Sequence, residues 1–262
     1  MKRRSILVTI FVCSFFMFSV SAYARIDPES IAGMWLLDEG NGDEALDSSG
    51  NEQHGVITGG PQWVEGVFGD CLEFAGGGQV EIPDNDIFNF GEDKNFSAVL
   101  WFNFSTPQDW NRIFRERTPG AWAAGNHGWE IQTQQAMVHW SLDDAAGNHM
   151  KTTYNNAGDG EWHHTAMIVD RDSKTMTSYL DGDNKMSVNI ANIGSVADVL
   201  PITIAGGFTG MVDELAIFSD IIDQGDVVDI MNLGLSAALE IAEPVSPAGS
   251  LISVWASIKD IK

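Results

Sequence analysis

Gly210-Met211-Val212-Asp213-Glu214-Leu215-Ala216-Ile217-Phe218 is the stretch on which the fold turns. Apolar and β-branched residues dominate it and no proline interrupts it, so it reads as a β-strand. Side chains alternate along a strand, giving one row of Met211, Asp213, Leu215 and Ile217 and another of Val212, Glu214, Ala216 and Phe218. Each row is apolar except for one carboxylate. A buried row would leave that carboxylate needing a cation or several donors. At a strand entrance beside Gly210 the carboxylate would instead sit in water.

Upstream, turn signals recur every 8 to 15 residues and the segments between them are strand-like, the spacing of a sandwich or barrel. Strands are expected over 31–37, near 56–57, and over 71–75, 79–82, 96–104, 111–117, 129–133, 137–142, 149–154, 162–170, 175–180, 185–190, 201–205 and 209–218. Phe96, Ala98, Leu100, Phe102 and Phe104 form the strongest core face. Asp181-Gly182 is a two-residue hairpin turn of the type that needs positive φ at both positions. One helix follows the last strand, capped by Asp223, with Val227, Val228, Ile230 and Met231 on its apolar face and Gly234 ending it.

The amino terminus reads as a secretory leader over residues 1–24. Lys2, Arg3 and Arg4 precede an apolar run from Ile6 to Val20, and Ala22-Tyr23-Ala24 supplies the cleavage pattern. The run is short for a membrane span, and no second span follows. Without the leader, 11 basic residues face 37 acidic ones, a net charge of −26. Such a surface repels nucleic acid and anionic lipid. Cys71 is the only cysteine left, so stability rests on a packed core or a metal, not on an internal disulfide. The domain is expected over 25–235, with an extension over 236–262.

Several stretches, in order, resemble the laminin G-like type of the concanavalin A-like family: Gly33-Met34-Trp35-Leu36-Leu37-Asp38-Glu39-Gly40, Asp47-Ser48-Ser49-Gly50-Asn51 with His54-Gly55, Gly69-Asp70-Cys71-Leu72-Glu73-Phe74, the strand around Trp101, Glu161-Trp162-His163-His164-Thr165-Ala166, Tyr179-Leu180-Asp181-Gly182 and the closing stretch. The resemblance implies an all-β, two-sheet antiparallel jelly-roll sandwich with adjacent first and last strands and one short C-terminal helix. It also implies an extracellular binding or structural role more often than catalysis. Relatives of that type hold a structural calcium between first and last strands. The resemblance therefore assigns Asp213, Asp38, Asp47 and Asn51 as candidate calcium ligands, while Ala75 stands where many relatives carry an aspartate. The alternative is an Asp-rich turn in which Asp47 and Asn51 bond their own backbone.

Trp110 and Trp122 sit at loop-like positions near Asn126 and His127, and these four residues are the candidate ligand site, since aromatic faces with amide neighbours stack on and bond sugars. The competing reading is a tryptophan that pins a loop to the sheet. His163 and His164 are adjacent on a strand, face opposite ways and cannot share one metal ion. No Glu-x-Asp-x-x-Glu triplet of jelly-roll glucanases occurs, and Glu130 is a lone acid whose plain reading is a solvent-facing residue. Cys71, with no basic neighbour, reads as a small core residue. The sequence thus points to a secreted or cell-surface, non-catalytic module for a glycan or an extracellular protein, stabilised by calcium. A glycoside hydrolase or polysaccharide lyase of the same fold, and a structural surface or matrix component, are the alternatives.

Overall fold

The computed structural model describes residues 26–105, 107–120 and 123–239. The leader, Trp122 and the stretch 240–262 lie outside the described residues. Sixteen strands run in chain order. They are β1 (Ile31–Trp35), β2 (Glu44–Ala45), β3 (Gly55–Thr58), β4 (Gln62–Glu65), β5 (Asp70–Ala75), β6 (Gln79–Ile82), β7 (Phe96–Asn103) and β8 (Gln108–Arg117). The remainder are β9 (Gly128–Gln135), β10 (Met137–Asp143), β11 (His149–Tyr154), β12 (His163–Asp170), β13 (Thr175–Leu180), β14 (Asn184–Asn189), β15 (Ile202–Ile204) and β16 (Thr209–Phe218). They form two antiparallel sheets. The first has the order β14-β13-β12-β7-β16-β5-β4, with β1 also pairing β16, and the second runs β11-β10-β9-β8-β15-β6-β3-β2. The turn spacing leaves a sandwich or a barrel open, and the observed architecture is the all-β, two-sheet antiparallel sandwich that the resemblance implies.

β16 is the hub of the first sheet. One side pairs with β7 along most of its length. The other is shared: Thr209 to Val212 pair with β5, and Leu215 to Phe218 pair with β1. Between these halves the register against β7 shifts, and Glu214 takes a φ of +51°. This is a β-bulge, one extra residue on one strand. It breaks the two rows expected from strict alternation. Val212, Leu215 and Ile217 face the inter-sheet core, whereas Ala216 and Phe218 join a second apolar cluster on the sheet's outer face. Asp213 and Glu214, one from each expected row, are both buried.

The inter-sheet core carries Trp35, Trp129 and Trp140, all fully buried, and the whole face from Phe96 to Phe104. The outer cluster is covered by α1 (Gln224–Leu233) and α2 (Leu235–Ala238). Asp223 caps α1 in a capping box with Asp226, as Asp223's position implies, and Gly234 ends it. The chain then continues into α2, and Leu239 is buried, so the packed region runs past 235. Asp181 and Gly182 both have positive φ, as their turn requires. His163 and His164 diverge as expected. His163 bonds Asp181 and Asp159, while His164 lies buried against Trp101 with its pKa pushed down to about 3 by desolvation. Burial and the neighbouring Asp213, Glu73 and Asp70 raise the Cys71 thiol to about 12, which leaves it a protonated core group.

Gly128 opens β9 where the backbone of β8 comes close. Its φ is +128°, and a Cβ there would lie 2.2 Å from the Glu116 carbonyl oxygen and 2.5 Å from the Arg117 Cα. Gly128→Ala is expected to lower the unfolding free energy by roughly 2 kcal/mol or more in urea denaturation. An unchanged midpoint would show that the two strands do not need this approach.

Candidate functional site

The calcium candidates fall into separate hydrogen-bond systems. Asp47 Oδ1 accepts from the Met34 and Ser49 amides, and its Oδ2 accepts from Ser49 Oγ and the Gln53 amide. Asn51 turns its Nδ2, a donor, towards the Ile31 and Ala32 carbonyls. Asp47 thus bonds the backbone of its own turn, as the Asp-rich turn requires, whereas Asn51 reaches across to β1, and together they tie the loop after β2 to that strand. Asp38 Oδ1 accepts from the Asp70 amide. Asp213 Oδ2 accepts from the Val67 and Phe68 amides, at 2.8 and 3.2 Å, and pins the loop before β5 across the bulge. Each Asp47 oxygen meets two donors and Asn51 presents its nitrogen, so this pair offers calcium little, while the free buried oxygen of the set, Asp213 Oδ1, lies in a different hydrogen-bond system. Among the described residues no three His, Cys, Asp or Glu side chains stand where one metal could join them. The four residues as placed do not fit a shared ion.

Asp213 is instead a buried carboxylate held by two backbone donors, with no partner for Oδ1. Desolvation pushes its pKa up to about 7. Glu214 Oε2 accepts from the Leu235 amide, at the start of α2. Because the folded state holds the Asp213 proton more tightly than the unfolded chain, stability falls as pH rises from about 4 to about 7.

The surface with the most unusual chemistry is the outer face of the second sheet. Eight Lys and Arg residues lie in the described chain, and four of them, Arg112, Arg115, Arg117 and Lys151, point from this face. Register places them. Arg115 pairs with Glu130, Glu130 with Ser141, and Ser141 with Lys151. In parallel rows Arg112 meets Gln132 and His139, and Arg117 meets Gly128, Asp143 and His149. The alternate residues Phe114, Ile131 and Trp140 fill the core.

Arg117 anchors this face. Its Nε donates to Asp143 Oδ2 at 2.8 Å, and its Nη1 donates to the Thr118 and Gly120 carbonyls, fastening the loop between β8 and β9. Glu130 is 1% exposed, so it is not the solvent-facing residue expected. It lies 3.6 Å from Arg117 Nε and 3.8 Å from Arg112 Nε, and burial raises its pKa against the pull of those cations. Arg115 is half-buried, has no ion pair within 4.0 Å among the described residues, and its pKa is lowered by desolvation and by Arg112. Arg112 Nε, Arg117 Nη2 and Gln132 Nε2 are buried donors without partners. Glu130 Oε2 and Ser141 Oγ in the same layer are likewise buried without hydrogen-bond partners, so what suits an incoming anion here is the half-buried Arg115 guanidinium without an ion pair.

Trp110 belongs to this face too. It is not on a loop but in β8, at a bulge with φ +56°. Its ring stacks on His139 at 6.2 Å, and Lys151 Nζ lies 5.7 Å from its centroid. Asn126 and His127 sit at the other end of β8, in the loop that Arg117 fastens. There the His127 amide donates to Thr118 Oγ1, and His127 Nε2 lies 3.7 Å from Asp198 Oδ2. The structure therefore does not bring Trp110 together with Asn126 and His127, and Trp122 lies outside the described residues. The arginine cluster does not show when residues are read singly. Three of the mature chain's few cations fall within 112–117, and that clustering was the available signal.

Residues 42–222 match the family described as Clostridium neurotoxin, N-terminal receptor binding. The non-toxic nonhemagglutinin type D of Clostridium botulinum D phage is 22% identical over 167 residues, which cover 63% of this chain and 14% of that protein. The type A protein of Clostridium botulinum (strain Kyoto / Type A2) is 25% identical over 136 residues, covering 50% and 11%. The chain thus spans a small part of the curated relatives it matches. The binding domain of Paraclostridial Mosquitocidal Protein 1 superposes with a TM-score of 0.66 at 16% identity, covering 78% of this chain and 52% of that one. The binding domain of botulinum neurotoxin DC, solved with rat synaptotagmin II, gives 0.63 at 15%, covering 79% and 52%. The serotype D ligand binding domain, solved with N-acetylneuraminic acid, gives 0.63 at 15%, covering 78% and 51%. At these identities the structural likeness shows the fold alone. The sequence match overturns the laminin G-like, concanavalin A-like assignment while leaving the sandwich architecture intact.

Two outcomes follow from the buried carboxylate and the dispersed calcium candidates. Asp213→Asn keeps an acceptor for the Val67 and Phe68 amides and removes the titration. Its stability relative to wild type should rise between about pH 4 and pH 7, by roughly 2–4 kcal/mol in total. A difference that stays flat with pH would count against the buried charge. Melting temperatures in excess calcium and in EDTA should agree within about 1 °C, and a larger calcium-dependent rise would restore the ion.

Proposed function

This chain belongs to the clostridial neurotoxin N-terminal receptor-binding family, and from that premise we propose a secreted, non-catalytic binding module whose ligand surface is the outer face of the second sheet. The observation that carries this reading is the gathering of four of the eight described cations on one face of a chain with a net charge of −23, with Arg112, Arg115 and Lys151 reaching solvent and Arg117 buried beneath them on Asp143. Opposite charge on a local patch steers and orients a ligand that the rest of the surface would repel. Rigid strands hold these side chains, and a β-sheet floor is a more exact platform than a loop.

A glycan or an extracellular protein is the ligand class. Both occur among the solved relatives, one bound to synaptotagmin II and another to N-acetylneuraminic acid. The leader read over residues 1–24 supports action outside the cytoplasm. Among the described residues no helix is long and apolar enough to cross a membrane.

The test uses the full chain on intact cells and on a glycan array. An Arg112→Ala, Arg115→Ala double variant should lose at least about tenfold in apparent affinity while melting as wild type does. Undiminished binding by a folded double variant would move the site elsewhere on the molecule.

A further inference from the structure

On the same face, a second feature lies in line with Arg115. Val56 pairs with Glu81, Glu81 with Thr203, and Thr203 with Arg115, so one cross-strand row runs from β3 through β6 and β15 to β8. Val56 is 52% exposed. With Pro83 and Pro201 it lines a hollow of about 440 Å³ whose remaining walls are Thr58, Glu81 and Asp84. A hollow with an apolar wall of Val56, Pro83 and Pro201 therefore lies three strands along the same row from a half-buried guanidinium without an ion pair among the described residues.

From this row we infer that the outer face of the second sheet docks a polypeptide segment bearing an aliphatic side chain and a carboxylate, the first in the Val56 hollow and the second on Arg115 and Arg112. The inference rests on that face being the ligand surface. Charge complementarity names the occupant. Arg115 has no ion pair within 4.0 Å among the described residues; burial and Arg112 oppose its charge while its cross-strand neighbour Glu130 favours it, so an arriving carboxylate supplies the close partner it lacks. A sugar is less well served. The Trp110 ring is already engaged by His139 and Lys151, and the hollow has no aromatic wall. Glu81 and Asp84 repel a second carboxylate and so fix the direction of the segment.

Geometry sets the spacing. Three strand steps separate Val56 from Arg115, roughly 14 Å at the usual spacing between neighbouring strands. An extended chain covers that distance in about four residues. The expected recognition element is an aliphatic residue and an Asp or Glu about four positions apart.

The experiment measures fluorescence anisotropy of the full chain with synthetic peptides carrying one Leu and one Glu at separations from roughly two to roughly seven residues, and with the same peptides carrying Gln for Glu. Binding should be tightest near four, fall at least about tenfold with Gln, and weaken with added salt. Arg115→Glu and Val56→Asp should each abolish it with the melting temperature held. Equal binding of Glu and Gln peptides, or full binding by either variant, overturns the inference. If no peptide binds but the variants lose cell or glycan binding, the face remains the ligand surface and the polypeptide class falls. If neither assay responds to the variants, both readings fall.

Discussion

The bulge at Asp213 and Glu214 lets one strand do the work of two. Without the extra residue, β16 would present one continuous register to its neighbours. With it, the first half of β16 pairs with β5 and the second half with β1, while β7 runs along the other side. The reset also turns Val212 and Leu215 towards the same core and pushes two adjacent carboxylates off it. Each carboxylate then holds a different segment, Asp213 the loop before β5 and Glu214 the start of α2. A buried acid is unfavourable unless donors meet it, and these donors are backbone amides of the segments that must be placed.

Much of the sandwich was legible because its signals are local. Residues 79–82, 149–154, 175–180 and 209–218 emerge with the expected limits, since alternation and turn residues mark both ends of each. β4 was not legible: Gln62-Trp63-Val64-Glu65 is short and half polar, and it is a strand only because β5 offers it a partner. The bulge was hidden for the same reason. Nothing in Asp-Glu-Leu announces a register shift, which exists only relative to β7. The laminin G-like motifs misled about ancestry because Trp on the first strand, an Asp-Gly turn and an apolar closing strand are what a sandwich of this kind demands physically, whatever its family.

The outer face of the second sheet shows the limit of reading residues one at a time. Glu130 alone is an unremarkable strand acid. Set beside Arg115 by register, with Arg112 and Arg117 near, it is part of a charged layer. The hairpin of β9 and β10 was readable, and adding β8 in register would have exposed the row. Trp110 looks loop-like in sequence, yet the chain there is bulged strand.

The layout of charge on the two sheets has a consequence for motion in solution. A chain with a net charge of −23 and half its described cations on the outer face of one sheet is charged unevenly across its thickness. Near an acidic surface the molecule experiences a torque before it experiences a contact. It turns its second sheet forward and keeps its helices behind. At physiological ionic strength this alignment acts within about 8 Å, so orientation is settled only in the last step of approach. The sandwich thereby gives a compact domain a front and a back.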